Sequence, residues 1–181
     1  MTLDTQQVGL QPVLISSGRS PEIAEGDDVY GWLCGSWDLE VVRYRGIDVS
    51  RRGLTGEVHA GWVLEGRAVQ DAWIMPRRED RRTDSDPSMN MYGTTLRSWD
   101  PTIRAWRIAW TNPVSGHREE QVGCWKGKDI LQEGVRADGT KTRWTFTDIT
   151  PHSFHWKGEA QYPNQEAWVL EGEFLATRRA T

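Results

Sequence analysis

From Ser36 onward, apolar residues recur at every second position in short runs, and most runs end in Gly, Pro, Asn or Asp. Trp37, Leu39 and Val41 alternate with Asp38 and Glu40. Leu54, Val58, Ala60, Trp62 and Leu64 share one phase and leave Glu57 and His59 on the other. Arg104, Trp106, Ile108 and Trp110 alternate strictly with Ala105, Arg107 and Ala109. Successive strand side chains point to opposite faces, so period two marks half-buried strands. The pattern predicts ten: one from Ser36, then Leu54–Leu64, Arg67–Met75, Asn90–Trp99, Arg104–Trp110, His117–Trp125, Ile130–Arg136, Thr140–Thr147, Ser153–Ala160 and Glu166–Thr177. Connections are mostly short; Asp100-Pro101-Thr102 suits a tight turn and Asp138-Gly139 a hairpin. No heptad, long amphipathic helix or βαβ alternation breaks the series.

Ten consecutive antiparallel strands expose two edges unless the sheet closes on itself. The expected fold class is therefore all-β, an up-and-down antiparallel barrel of about ten strands with a short N-terminal helical segment. A barrel a little above eight strands has room for a ligand. A β-sandwich is the competing architecture. Residues 1–26 lack periodicity and are expected to form a flexible arm, with ordering against the body as the alternative, and 27–181 the barrel domain. Ser20-Pro21 offers an N-cap and first-turn proline, and a second helical turn is expected over Asp27–Leu33. Arg77–Met89 is the one long interruption within the barrel; its charges balance, which suits a solvated loop, although loops of this length are often lids.

Composition changes the picture at one point. Among 181 residues there are eleven tryptophans, spread from Trp32 to Trp168. A buried indole usually needs a partner for its N–H, and a core needs few of them. So many suggest an aromatic-lined cavity, with a ligand-free aromatic core as the competing explanation. The formal charge of −4 argues against a general nucleic-acid binder. Met1–Leu14 lacks the basic and apolar regions of a secretory signal, and no apolar run approaches the roughly 20 residues of a membrane helix. A cytoplasmic location without membrane contact is expected, with Cys34 and Cys124 reduced. A homodimer is left open.

Three segments carry a resemblance. Gly35-Ser36-Trp37 opens the first strand; Gly61-Trp62-Val63-Leu64-Glu65-Gly66-Arg67 forms a strand, turn and strand. Gly93-Thr94-Thr95-Leu96-Arg97-Ser98-Trp99-Asp100 leads through a turn to Arg104-Ala105-Trp106. In this order they resemble the lipocalin-like (calycin) family of unknown function called DUF1579, over about Leu33–Thr177. The resemblance implies a barrel like those of fatty-acid-binding proteins and nitrobindins, and no particular reaction. Nitrobindins bind haem through a closing-strand histidine; Glu166–Thr177 contains none, so no haem or other cofactor is expected.

The candidate chemistry is sparse. His59, His117, His152 and His155 form no ligand motif, and no metal site is expected. No GxSxG, GxGxxG or Walker pattern occurs. Asp71, in phase with Val69, Trp73 and Met75, would place a carboxylate on an apolar face, with its pKa raised unless Arg97 or Arg104 lies opposite. Asp71 and His59 are the candidate acid/base residues. Trp73, Arg104, Trp106, Trp110, Trp144, Trp156 and Trp168 are the candidate ligand-binding set, with Arg104 available to an anionic head group. The expected function is binding of a small apolar or aromatic molecule in a tryptophan-lined cavity. The alternative is an enzyme of secondary metabolism, of isomerase or cyclase type, acting there.

Overall fold

A computed structural model describes residues 9–82 and 87–180. The strands are β1 (Gly35–Tyr44), β2 (Ile47–Asp48), β3 (Thr55–Val63), β4 (Ala68–Met75), β5 (Met91–Asp100) and β6 (Ala105–Asn112), then β7 (His117–Lys126), β8 (Asp129–Val135), β9 (Lys141–Thr147), β10 (Ser153–Gln161) and β11 (Val169–Arg178). All pairs are antiparallel, and β1 pairs with β3 on one side and β11 on the other. The sheet thus closes into the all-β barrel of ten long strands that the alternation predicts. The sandwich is excluded. The two-residue β2 folds back on the end of β1 and is too short to show a period.

The antiparallel course places Tyr44, Met75, Asn112, His117 and Val169 at one end of the barrel, and the starts of β1 and β6 at the other. The second end is closed by the chain preceding β1. Beyond Leu10–Leu14 (α1), Ile15 bridges Val63, and the amides of Ser16 and Ser20 donate to the carbonyls of Trp62 and Gly66. Ile23, Val29, Tyr30 and Leu33 are all buried. From Leu14 the N-terminal arm is therefore ordered against the body, docked on the β3–β4 hairpin, and continues as a plug. Its apolar residues are too scattered for a periodic signal because they pack from 3-10 turns, at Glu25–Asp27 and Gly31–Leu33, rather than from one regular element. Ser20-Pro21 starts a turn, not a helix.

Three indoles fix the plug through their N–H groups. Trp37 donates to the Leu33 carbonyl at 2.7 Å, Trp106 to Asp27 at 2.8 Å and Trp32 to Val29 at 2.9 Å. Tyr30 donates its hydroxyl to Gln132 Oε1 at 3.2 Å, and burial pushes its pKa up, so it stays protonated. A Cβ at position 123 would run into that hydroxyl, so Gly123 is what lets Tyr30 reach β8.

The loop after β4 does not simply float in solvent. Arg77 binds Asp38, and Arg78 binds the buried carboxylate of Glu57, both on the outer face of β1 and β3. Thr83–Asp86 lies outside the described residues. No helix among the described residues is long and apolar enough to cross a membrane.

Candidate functional site

The opposite end of the barrel holds a cavity of about 770 Å³. Interior positions of β4, β6, β9, β10 and β11 supply Trp73, Trp110, Trp144, Trp156 and Phe174 to its wall. The rings meet in a continuous series: Trp110 and Trp144 centroids lie 6.3 Å apart, Trp144 and Trp156 5.4 Å, Trp156 and Phe174 5.1 Å, and Trp73 and Trp156 5.8 Å. No hydrogen bond among the described residues engages the indole N–H of any of these four tryptophans. A Cβ at position 93 would overlap the Trp110 ring, so Gly93 lets that indole lie across β5.

Arg97 of β5 forms the floor. It is buried, its Nη1 is bonded to the buried carboxylate of Asp71, and its guanidinium carbon stands 5.1 Å from the Tyr30 ring centroid of the plug. Asp71 accepts a second bond at Oδ1, from the Thr95 amide at 2.9 Å. The floor therefore belongs to both halves of the molecule: Tyr30 packs beneath the guanidinium and the cavity opens on its other side.

The mouth is polar. Arg136 donates to Glu119 at 2.6 Å and, through both terminal nitrogens, to Glu171 at 3.1 and 2.7 Å. Tyr162 donates to Glu171 at 2.7 Å. Burial pushes the Glu171 carboxyl up, but the bonds from Arg136 and Tyr162 outweigh it and hold the pKa below the usual carboxylate value. His117 Nε2 lies 3.0 Å from Glu119, whose side chain is buried. Below the mouth a buried chain runs Gln132 to Gln121 to Thr142, each contact 3.1 Å. The mouth is thus polar and the wall beneath it largely aromatic.

The candidate residues divide accordingly. Trp73, Trp110, Trp144 and Trp156 come together on the cavity. Trp106 is fully buried beneath it against the plug. Trp168 lies outside the barrel interior under Arg143, whose guanidinium sits 4.2 Å from its ring. Arg104 is not in the strand at all: it takes φ +49° in the β5–β6 turn, largely exposed, 3.5 Å from Asp27, at the plugged end. It is therefore out of reach of a head group in the cavity. Asp71 faces inward as its phase predicts and is matched by Arg97 rather than left alone. His59 lies on the outside, bonded to Ser36 Oγ at 2.9 Å and Glu57 at 3.0 Å.

Sequence reasoning missed the mouth residues His117, Arg136, Tyr162 and Glu171. Strand phase could have put His117 with Glu119 and Gln121, but three polar residues in phase read as a solvent face. Among the described residues no three His, Cys, Asp or Glu side chains gather as metal ligands. Both cysteines are free thiols; burial pushes the Cys34 thiol up to about 11, so it stays protonated. No family model matches the chain, and no curated protein matches it.

Proposed function

We propose that the protein binds a small aromatic or largely apolar molecule in the cavity at the open end of the barrel. The observation that carries this reading is the group of four tryptophans whose N–H groups have no partner among the described residues, beside about 770 Å³ of space. A volume of that order suits a drug-sized ligand, and a mainly apolar wall with a few placed polar groups is the usual make-up of such sites. The resemblance to the DUF1579 lipocalin-like family is proposed on the same terms; the closed barrel and the Gly35-Ser36-Trp37 opening of β1 support it. Titration with N-phenyl-1-naphthylamine, a neutral aromatic probe, tests the binding reading. Saturable quenching of intrinsic fluorescence at one site per chain, weakened at least tenfold by Trp110→Ala, is expected. Absence of saturable binding to the folded protein would overturn it.

The enzyme reading is favoured by one observation, His117 held by Glu119 at the cavity mouth. In that case His117 is the acid/base group, since Asp71 has both oxygens engaged and His59 lies outside. His117→Gln would then abolish turnover of a bound substrate while leaving its affinity unchanged.

A further inference from the structure

We infer that the occupant of the cavity is a neutral aromatic carbonyl compound, a ketone or quinone, whose oxygen accepts a hydrogen bond from Arg97. This rests on the binding reading and specifies the ligand class.

Arg97 carries unspent donors. A guanidinium carries five N–H groups. Of those on Arg97, the described residues engage only Nη1, through Asp71, while Nε is buried with no acceptor. A buried donor left unpaired is costly, and a charged one more so. Apart from the four indole N–H groups, the charged side chains around the cavity are paired among the described residues: Arg136 is taken by Glu119 and Glu171, Glu171 also by Tyr162, and Asp71 also by Thr95. The unmet requirement on the cavity floor is therefore for an acceptor.

Charge decides which kind. The Arg97 cation is already balanced by Asp71, and the Arg136 cation is outnumbered by Glu119 and Glu171. An anionic ligand would give up its hydration without gaining an uncompensated cation, so a carboxylate is disfavoured. A carbonyl oxygen supplies two acceptor lone pairs, loses little hydration, and can sit on the floor while a flat ring system lies against Trp110, Trp144 and Trp156. Ring stacking of this type contributes beyond buried area.

Three probes sharing one skeleton separate these terms: 2-acetylnaphthalene, 2-isopropenylnaphthalene with CH₂ in place of the oxygen, and 2-naphthoate. Dissociation constants are read from quenching of intrinsic fluorescence. The ketone is expected to bind about tenfold more tightly than the alkene, as one hydrogen bond from a charged donor provides. The naphthoate is expected to bind no more tightly than the ketone. Arg97→Met alone would strand the Asp71 charge, so the informative variant is R97M/D71N, which removes both partners. In that variant the alkene should retain its affinity and the ketone should lose its advantage. Equal ketone and alkene affinities, a tighter naphthoate, or a ketone advantage that survives R97M/D71N would each overturn the inference while leaving the binding reading intact. Failure of all three probes to bind the folded wild-type protein would remove both.

Discussion

Trp106 and Trp110 stand on the same face of β6, one turn of the alternation apart from Ile108, yet they serve different ends of the barrel. Trp106 is fully buried, donates to the Asp27 carbonyl and meets Tyr30 edge-on at 5.3 Å. Trp110 meets Trp144 at 6.3 Å and borders open space. The difference comes from outside the strand. At one end the chain before β1 is drawn inside and saturates the indoles; at the other the turns leave the interior open. Alternation alone decides which side chains face inward, and the plug decides which of these become core.

The largest effects should separate the two indoles and the pair between them. Trp106→Ala is expected to cost about 3–5 kcal/mol, the usual range for a buried tryptophan, without altering the cavity wall. Trp110→Ala should cost about half of that or less, because water can enter the space, and should show itself in binding. Urea unfolding of both variants checks the ratio; equal costs would mean that the open end is packed like the plugged one. Asp71→Asn alone should cost about 3–5 kcal/mol by leaving Arg97 unpaired, and R97M/D71N should recover most of it.

Smaller effects follow from the two glycines. Gly123→Ala pushes against Tyr30 and should cost about 1–3 kcal/mol by overpacking. Gly93→Ala pushes Trp110 toward open space but also meets the Thr111 backbone oxygen, so its cost should be at least as large and its effect on probe affinity greater. Measuring stability and N-phenyl-1-naphthylamine affinity on both variants checks that the affinity effect is confined to Gly93→Ala.

The smallest effect is in acid. Burial would raise the Glu57 pKa, but bonds from Arg78 and His59 hold it at about 2, against an ordinary value of about 4.5. A carboxyl depressed on folding contributes stability that is fully present above its unfolded pKa and is lost as pH falls through the folded value. The clamp of Glu57 on the loop after β4 should therefore fade between about pH 4.5 and 2. Glu171 is depressed in the same sense, so the mouth should loosen alongside it. The indole-to-backbone and Tyr30–Gln132 bonds that fix the plug do not titrate there. Hydrogen exchange at pH 3 should show faster opening of the loop after β4 and of the β10–β11 connection than of Gly31–Leu33. Glu57→Gln should flatten the acid dependence of stability.

The same contrast accounts for what could be read from the sequence. Strand phase carried the barrel and the shared face of Asp71, Trp73 and Trp110, while leaving Arg97 and Arg104 as equal candidates to lie opposite Asp71. It failed where position along the strand, rather than phase, decides the environment. Trp106 and Arg104 share the phase of Trp110, but they lie toward the plugged end, where one is sealed and the other is in a turn. Trp168 precedes the first residue of β11 and has no strand phase to use. The plug and the mouth cluster were not legible because both join groups far apart in the chain, such as Arg136 with Glu171 and Tyr30 with Gln132.

The two ends of the barrel differ in this way, one filled and one open, and the open one is the proposed binding site. The indole N–H resonances in ¹⁵N–¹H correlation spectra, assigned by substitution and followed during titration with 2-acetylnaphthalene, test it most directly. Saturable shifts are expected for Trp73, Trp110, Trp144 and Trp156, with Trp37 and Trp106 unmoved. Shifts at Trp37 and Trp106, or none at the four cavity tryptophans while the probe binds, would contradict it.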